Sequence, residues 1–374
     1  MKLYEYQAKE VFKKSGITIP NSVLIESESE LNQAVHEVGL PLVVKSQVLS
    51  GGRGKAGLIS FVKSSDDAAK EVERLFAHPL KIKKLLIEQA VNIEKEIYVS
   101  ITVDPYHATG LLIASAEGGI EIETLAVTDP DKIIKEPIDL RYGLMPFQAL
   151  QVAYDLGLTP VLAKKMSKFL MSLYQVFRNY DCELVEVNPL FITKEQELVA
   201  GDGKLMIDDN SMFRHEDYQQ SLDDYKTEAE FDAMQEGIPF IQFDGDIGLM
   251  CAGAGLTTTV YDLINYEGGS VANYLEFGGP NYKKAVKAME ICLKVPSKVI
   301  LVVTFGTIAR ADVMAQGIVD AMKKLNPDRP IVTCIRGTNE KEAVKILKEA
   351  GLEPLFDTEE AVRKAVRIAK GDQA

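Results

Sequence analysis

The sequence predicts an α/β protein in two parts, and three observations support this prediction. The chain has 374 residues, enough for two or three folding units of roughly 150 residues each. After about residue 237 a strand, a glycine turn and a helix recur, which is typical of a doubly wound, mostly parallel sheet. Before about residue 209, strand-like runs flank two turn segments and predict hairpins among helices. We therefore expect a mixed α/β part followed by a Rossmann-like or flavodoxin-like part.

Composition and charge exclude several classes of protein. With 46% hydrophobic residues and no long low-complexity stretch, the chain can build packed cores, which excludes disorder. A net charge of −13 argues against general binding of nucleic acid but leaves room for a local phosphate pocket. The four cysteines form no C-x-x-C pair, so they predict neither a zinc site nor a disulfide framework. The charged N-terminus and the short apolar runs indicate a cytoplasmic protein without a signal peptide or membrane segment.

Hydrophobic periodicity places the elements of the N-terminal part. It predicts helices over 2–15 and 65–76, and a third helical region over 148–180 in two pieces, broken near Gly157 and Pro160. Apolar and β-branched runs predict strands at 41–48, 58–62, 84–88 and 96–101. The polar, acidic stretch 216–236 predicts a connector with some helix.

The C-terminal part alternates more regularly. The predicted strands are 247–252, 271–277, 299–305 and 331–335. Helices are predicted to follow them at about 256–266, 281–293, 309–324 and 339–350, with a last one near 358–370.

A glycine-rich segment between the first two predicted strands is the first candidate site. Gly52, Gly54 and Gly57 have the spacing of a dinucleotide-binding loop, but a strand follows where that loop requires a helix. A Walker A loop is excluded too, because Leu49 stands where its first glycine belongs and Ala56 where Ser or Thr is required. The segment is therefore interpreted as a flexible hairpin loop.

The cations of this loop favour a phosphate site. Bare backbone N–H groups together with Arg53 and Lys55 can fold over a triphosphate, and the alternative is a mobile surface turn. Lys45 favours the first interpretation, because a lysine within an apolar strand requires an anionic partner.

A second hairpin carries carboxylate and amide side chains. With its polar turn at 193–197, Asn188 is expected about opposite Asp202, and Glu186 opposite Lys204, all on one face. Opposed residues have Cβ atoms roughly 5 Å apart. One carboxylate and one amide oxygen at that distance suit Mg²⁺, with phosphate oxygens and water completing the shell. The alternative is an exposed polar face of an amphipathic hairpin.

Glycine turns also end three predicted strands of the C-terminal part. Turns at the carboxyl ends of parallel strands are where ligands bind, and helix N-termini there attract anions. The alternative is tight connections without a ligand. The turns are Gly253-Ala254-Gly255, Gly278-Gly279-Pro280 and Gly306-Thr307-Ile308-Ala309. The four histidines, His36, His78, His107 and His215, lie outside these turns, and no Ser or Cys stands in a nucleophile motif.

Taken together, four motifs resemble a known family. They are Tyr4-Glu5-Tyr6-Gln7-Ala8-Lys9, Gly51-Gly52-Arg53-Gly54-Lys55-Ala56-Gly57, Glu183-Leu184-Val185-Glu186-Val187-Asn188-Pro189-Leu190 and Asp202-Gly203-Lys204-Leu205. The chain is similar to the β subunits of succinyl-CoA synthetase (succinate–CoA ligase), members of the ATP-grasp superfamily. The resemblance extends over essentially the whole chain and is most specific in its first 210 residues.

The resemblance implies a fold and a set of site residues. The fold would be a two-lobed ATP-grasp domain over 1–236, with a small lobe at about 20–100, and a flavodoxin-like CoA-ligase domain over 237–374. Glu186 and Lys45 would be catalytic, with Glu186 meeting a phosphohistidine loop, and Asn188 and Asp202 would hold Mg²⁺. The nucleotide would be bound by Lys45, Gly52, Arg53, Gly54, Glu88, Val91 and Glu96, with Glu88 and Val91 near the base or ribose and Glu96 near the phosphates. The acid or phosphate would be bound by Ala252, Gly306, Thr307, Ile308 and Ala309.

The same resemblance implies a reaction and a partner. ATP, with GTP as the alternative, would activate succinate as an acyl phosphate, and the thiol of CoA would then displace phosphate. The phosphohistidine and most of the CoA site would belong to an α subunit, in an αβ heterodimer or α2β2 heterotetramer. That would explain why this chain offers no histidine nucleophile. Positioning and charge neutralisation would carry most of the catalysis.

The C-terminal turns depart from the family pattern. Ala252-Gly253-Ala254-Gly255 stands where the family usually has Asn-Gly-Ala-Gly, which contributes to the carboxylate site. The other two turns also differ, with Gly278-Gly279-Pro280-Asn281 for Gly-Gly-Gly-Ala and Gly306-Thr307-Ile308-Ala309-Arg310 for Gly-Gly-Ile-Val/Met-Arg. Loss of an asparagine donor can change substrate selectivity strongly.

Several functions therefore remain open. Succinate is the leading acid, and a related ligase acting on citrate, malate or another dicarboxylate, such as citryl-CoA or malyl-CoA synthetase, is the alternative. A non-catalytic nucleotide-binding subunit is disfavoured, because such a chain need not keep Lys45, Glu186, Asn188 and Asp202. A stand-alone carboxylate–amine ligase is disfavoured by the long C-terminal part.

Overall fold

The computed structural model describes residues 1–49, 52–219, 221–222, 225–278, 283–306 and 309–371. Its contacts divide the chain into two units, Met1–Gln219 and Gln220–Ala374. The domain boundary at 236/237 stays a prediction, although Ala229 and Ala233, which precede it, pack into a core of the second unit. None of the helices in the described residues is long and apolar enough to cross a membrane.

The first unit contains two sheets. The four-stranded sheet has the order β1-β4-β2-β3 and is antiparallel, with two helices against it. Its elements are β1 (Ser22–Ile25), α2 (Leu31–Val38), β2 (Leu42–Ser46), β3 (Ile59–Val62), α3 (Ser65–Phe76) and β4 (Leu85–Gln89). The predicted hairpin around the glycine segment is confirmed, because Lys45 of β2 pairs with Ile59 of β3.

The larger sheet of the first unit has the order β10-β8-β5-β6-β7, with β9 paired to β8. Its strands are β5 (Ile93–Asp104), β6 (Thr109–Ser115), β7 (Ile134–Ile138), β8 (Cys182–Thr193), β9 (Leu198–Ala200) and β10 (Lys204–Ile207). The other helices of the unit are α1 (Glu5–Lys14), α4 (Ile122–Thr128), α5 (Pro146–Asp155) and α6 (Pro160–Asn179), with 3₁₀ turns at Glu28–Glu30, Pro130–Lys132 and Asp209–Arg214. The predicted break between α5 and α6 is confirmed, since Thr159 caps α6 and Pro160 occupies its first turn.

Helix α1 places the first charged residues near the larger sheet. Ala8, Val11 and Phe12 recur at helical spacing and are fully buried in its core. Glu5 lies in the first turn, where a negative charge complements the helix dipole, and it too is buried. One face of α1 is therefore apolar while its start delivers a carboxylate to the interior.

The second unit is the predicted doubly wound sheet. Its strand order is β11-β13-β12-β14-β15, and all pairings except the edge strand β11 are parallel. Its elements are α7 (Glu228–Gln235), β11 (Phe240–Gln242), β12 (Ile247–Cys251), α8 (Ala254–Tyr266), β13 (Val271–Leu275), α9 (Ala285–Leu293), β14 (Val299–Gly306), α10 (Ala311–Leu325), β15 (Ile331–Gly337), α11 (Glu340–Glu349) and α12 (Thr358–Ala369). Counted among themselves, the parallel strands run 2-1-3-4, the flavodoxin-like order.

Strand β14 shows why both faces of this sheet are covered. Val299, Leu301 and Val303 pack into one hydrophobic core, whereas Ile300 and Val302 pack into another. Helices α8 and α12 contribute to the first core, and α9, α10 and α11 to the second. An unbroken apolar run such as 299–303 is what a sheet with helices on both faces requires.

Candidate active site

A cleft of about 540 Å³ opens in the first unit, and its walls come from several distant stretches of sequence. Most of the lining lies at the start of α1, in and beside the glycine-rich loop, in the segment 119–123, and in β8 with the residues after β9, and Tyr98 of β5 completes it. The charged side chains of the lining are Lys2, Arg53, Lys55 and Lys204 with Glu5, Glu121, Glu123, Glu186 and Asp202. Cations and carboxylates are thus mixed in the lining, despite the acidic balance of the chain.

The glycine-rich loop folds Arg53 inward. The backbone of Gly52 (φ 72°) and Gly57 (φ 68°) is left-handed, which favours glycine at both ends of the turn. The Arg53 guanidinium donates from Nη2 to both oxygens of Asp202, at 2.9 and 2.8 Å, and from Nη1 to Glu5 Oε2 at 2.6 Å. Its side chain is only 9% exposed. Such bidentate pairs fix the geometry of a guanidinium as well as its charge.

Lys55 on the same loop behaves differently. Its side chain is 75% exposed and lies 3.0 Å from Glu121. An exposed pair of this kind contributes little to stability. Arg53 is therefore a buried, hydrogen-bonded cation of the cleft, and Lys55 an exposed one.

Behind Arg53 lies a buried network of ion pairs. Lys45 Nζ is 3.0 Å from Glu5 Oε1 and 2.6 Å from Glu88 Oε1, and it donates to the Gly201 carbonyl at 2.7 Å. Lys9 contacts the same two carboxylates and the same carbonyl. With Arg53 and Asp202 included, three cations face three carboxylates. The charges inside this part of the structure are thereby compensated.

The network shifts the ionisation of its members. Burial alone would raise the pKa of Glu5, but Lys45, Lys9 and Arg53 hold that pKa well below its usual range. Burial would lower the pKa of Lys45, and Glu5 and Glu88 instead raise it above its ordinary value. Both groups therefore stay charged at neutral pH.

The carboxylate–amide hairpin has the predicted register. Glu186 of β8 pairs with Lys204 of β10, as expected. Asn188 and Asp202 lie between that pairing and the Leu190–Ala200 pairing, and both line the cleft. The structure thus brings together the two residues predicted to bind metal.

Both predicted metal ligands have protein partners. Asn188 Oδ1 accepts from the Gly119 N–H, and its Nδ2 donates to the Ile120 carbonyl, each at 2.9 Å. Asp202 accepts from Arg53 and from the Gly203 N–H. An amide and a carboxylate oxygen are donors that suit Mg²⁺, which also keeps water and phosphate ligands. The described residues contain no group of three His, Cys, Asp or Glu that could hold a metal, and a magnesium site of this kind needs none.

Glu186 lines the same cleft. The Tyr98 hydroxyl of β5 donates to Glu186 Oε2 at 3.1 Å and lies 3.0 Å from Ser100 Oγ. Burial is the main cause of a raised pKa at Glu186, and Lys204 and the Tyr98 hydrogen bond oppose it. Burial and the neighbouring Glu186 likewise raise the pKa of Tyr98, so the phenol remains a donor.

Four residues predicted for nucleotide binding do not line the cleft in this structure. Lys45 and Glu88 lie in the buried network, and Glu88 is 2% exposed. Val91 follows β4 and is half-buried. The Glu96 carboxylate lies against Gly119, beside the lining segment 119–123. Gly52, Arg53 and Gly54, by contrast, form part of the wall.

The predicted acid-binding residues belong to the second unit. Ala252 follows β12 and Gly306 ends β14, so both lie at the carboxyl edge of adjacent parallel strands. A Cβ built on Gly306 would overlap the Ala309 carbonyl oxygen, so this turn requires glycine. Thr307 and Ile308 lie outside the described residues.

Sequence analysis did not identify several residues of this site. Glu5 and Lys9 were noted only within a family motif, although their i,i+4 spacing and opposite charge were a usable signal. Tyr98 stood in a predicted strand with no feature to mark it. The segment 119–123 gave no local signal, because only the fold brings it to Asn188.

Comparison with known proteins places this geometry in a family. The ATP-grasp domain family matches residues 2–192, and the CoA-ligase family matches residues 250–368. An ADP-forming sulfoacetate–CoA ligase subunit of Acholeplasma sp is 68% identical over 373 residues, with 100% of this chain and 93% of the relative covered. A subunit of the same name from Bilophila wadsworthia is 58% identical, with 99% and 100% covered.

More distant relatives bear other names. The β subunit of an ADP-forming succinate–CoA ligase from Ignicoccus hospitalis is 44% identical, with 99% of this chain and 100% of the relative covered. Among solved structures, ATP citrate lyase from Methanothrix soehngenii, in complex with citrate and coenzyme A, superposes with a TM-score of 0.75 over 99% of both chains. At 19% identity that likeness supports the fold alone.

Proposed function

The chain belongs to the family of β-type subunits of ADP-forming acid–CoA ligases, and we propose that its acid substrate is sulfoacetate. The observation that carries the proposal is its identity of 68% and 58% to two sulfoacetate–CoA ligase subunits, against 44% to a succinate–CoA ligase β subunit. The departure at Ala252 supports it, because the family resemblance assigns that position to the acid. A sulfonate presents three oxygens in place of the two of a carboxylate, so a changed donor set is expected there.

The proposed reaction converts sulfoacetate, CoA and ATP into sulfoacetyl-CoA, ADP and phosphate. A carboxylate is a poor electrophile, and its phosphorylation supplies phosphate as a leaving group. The CoA thiol then attacks the acyl carbon, the C–O bond to phosphate breaks, and the thioester forms. We propose that the phosphoryl group travels through a histidine of an α-type partner, which also binds most of CoA. Consistent with this, none of His36, His78, His107 and His215 lines the cleft.

The proposed nucleotide site is the cleft of the first unit. Arg53, Lys45 and the N–H groups of Gly52 and Gly54 would neutralise and orient the phosphates of ATP. The position of Arg53 in the wall supports this role. Lys45 would meet the phosphates only after exchanging a carboxylate partner, since Glu5 and Glu88 hold it in the present geometry.

Two further roles complete the proposal. Asn188 and Asp202 would hold Mg²⁺, which neutralises charge on the phosphate oxygens. Glu186 would contact the phosphohistidine segment of the partner, and its place in the lining supports this. Glu88, Val91 and Glu96 remain predicted contacts of the nucleotide.

The experiment is a panel of acids assayed with the complete complex. The chain is co-purified with its α-type partner, and CoA thioester and ADP are measured with sulfoacetate, succinate, citrate and malate. We expect kcat/KM for sulfoacetate to exceed that for succinate by about tenfold or more, since a mismatched donor set is discriminated strongly. A higher kcat/KM for succinate would overturn the substrate assignment. Absence of thioester with every acid would overturn the ligase function itself.

A further inference from the structure

The junction of β5 and β8 is irregular beside the cleft. Val99 pairs with Val187 and Ile97 with Leu190, so two residues of β8, Asn188 and Pro189, stand opposite Tyr98 alone. A bulge of this kind redirects side chains and is common next to active sites. Tyr98 is 2% exposed yet forms part of the cleft wall.

A chain of hydrogen bonds runs from β5 into the cleft through Tyr98. Its hydroxyl lies 3.1 Å from Glu186 Oε2 and 3.0 Å from Ser100 Oγ. A phenolic hydroxyl has one hydrogen to donate, and an ionised carboxylate can only accept hydrogen bonds. Donation to Glu186 therefore leaves the Ser100 hydroxyl as the donor of the second hydrogen bond. Ser100 is 1% exposed and pairs with Glu186 across the strands, so both hydroxyls are held in place.

The Glu186 carboxylate has few other restraints. Lys204 pairs with Glu186 across the hairpin, but these two side chains form no ion pair among the described residues. The Glu186 carboxylate also interacts electrostatically with Lys2, Glu123 and Asp202. Within the part of the chain that the structure describes, none of these three forms a hydrogen bond with its oxygens. Among the described residues, the Tyr98 hydroxyl therefore makes the one hydrogen bond to the Glu186 carboxylate.

We propose that Tyr98, supported by Ser100, is a positioning residue that orients Glu186 for phosphoryl transfer between the nucleotide and the partner histidine. The inference rests on the proposed function. Tyr98 touches neither phosphate nor histidine in this role, and it acts through the carboxylate. A misdirected Glu186 would slow the transfer step while leaving the nucleotide contacts of Arg53 and Lys45 intact.

The test is Tyr98→Phe, which removes one oxygen and keeps the ring. Phosphorylation of the partner by [γ-³²P]ATP is followed in single turnovers of the complete complex, and KM for ATP is measured in the steady state. We expect the phosphorylation rate to fall about tenfold or more, as for loss of a hydrogen bond to a charged group. KM for ATP should stay within about twofold, which a general structural defect would not produce. Tyr174→Phe is the matched control, because Tyr174 of α6 is 5% exposed in the core and lies outside the cleft wall.

Ser100→Ala provides a second, independent variant. It removes the support of Tyr98 and should slow the same step by a smaller factor, again at an unchanged KM for ATP. If Tyr98→Phe fails to fold, Ser100→Ala decides the outcome alone. Wild-type rates in both variants would overturn the positioning role while leaving the ligase function standing. Failure of the wild-type complex to label its partner would instead refute the proposed function.

Discussion

Glu5 is predicted to hold the buried ion network together, and Glu5→Gln tests this with little change in shape. Its two oxygens lie 2.9 Å from Lys9 Nζ, 3.0 Å from Lys45 Nζ and 2.6 Å from Arg53 Nη1. The substitution leaves three buried cations facing two carboxylates. Removing one partner of a buried ion pair costs about 3–5 kcal/mol, because the remaining charges are uncompensated. At roughly 2–4 °C per kcal/mol, the melting temperature of the first unit should fall by about 10 °C.

The assay combines urea unfolding at pH 7 with hydrogen exchange of peptides from α1 and β2. Urea carries no charge and leaves the ion pairs unscreened, and the peptides assign the transition to the first unit. Glu10→Gln is the matched control, since Glu10 is exposed on the same helix and its loss should change stability by less than about 0.5 kcal/mol.

The pH dependence of the Glu5 contribution has a defined sign. The pKa of Glu5 is depressed in the fold, so its contribution is fully present above the unfolded value of about 4.3. The contribution is lost as pH falls through the lower folded pKa. The difference in stability between wild type and Glu5→Gln should therefore be constant from about pH 6 to 8 and disappear in strong acid. A difference below about 1 kcal/mol at pH 7, or one that widens in acid, would refute the reasoning.

Two other changes test the metal site and a backbone constraint. Asp202→Asn should raise the Mg²⁺ concentration required for half-maximal turnover by more than about 100-fold, since loss of a residue that only supports a metal ligand already costs about 10–100-fold. Glu195→Gln, in the exposed turn of the same hairpin, should leave this concentration unchanged. Equal Mg²⁺ dependence of the two variants would show that Asp202 does not bind the metal. Gly337→Ala should lower stability by about 2–4 kcal/mol, because its backbone is left-handed and a Cβ would overlap the Gly306 carbonyl oxygen. Gly255→Ala in α8 meets no atom and should leave the melting temperature unchanged or slightly higher, so similar losses in both variants would contradict the argument.

Local patterns predicted the parts of the structure that depend on neighbouring segments. The register of Glu186 and Lys204 followed from a short turn and a period of two, because in a hairpin these two quantities fix the pairing. The doubly wound sheet followed from strands with unbroken apolar runs, such as 299–303 in β14, since helices on both faces are needed to bury them. Both features depend on the residues of one continuous stretch of sequence.

The remaining features depend on contacts between distant segments. The structure pairs Glu88 with Lys9 and Lys45 from two other elements, and no local pattern predicted this pairing. Strands β6 and β7 were not predicted, and nothing local marks residues 119–123 as neighbours of Asn188. A single sequence shows which residues are charged, but it does not show which distant residue each of them will pair with.

The charge distribution in and behind the cleft depends on which cation is paired with which carboxylate, and the net charge of the chain does not predict it. The chain carries −13 overall, yet Arg53, Lys45 and Lys9 are each matched by a buried or partly buried carboxylate. Cations held this way are fixed in position before any anion arrives, because their mutual repulsion is already compensated. A phosphate that binds Arg53 must displace Asp202 as the acceptor of the two hydrogen bonds from Nη2, and the displaced carboxylate then has free lone pairs. The same exchange therefore frees an oxygen donor at the position where the proposed metal ligands meet.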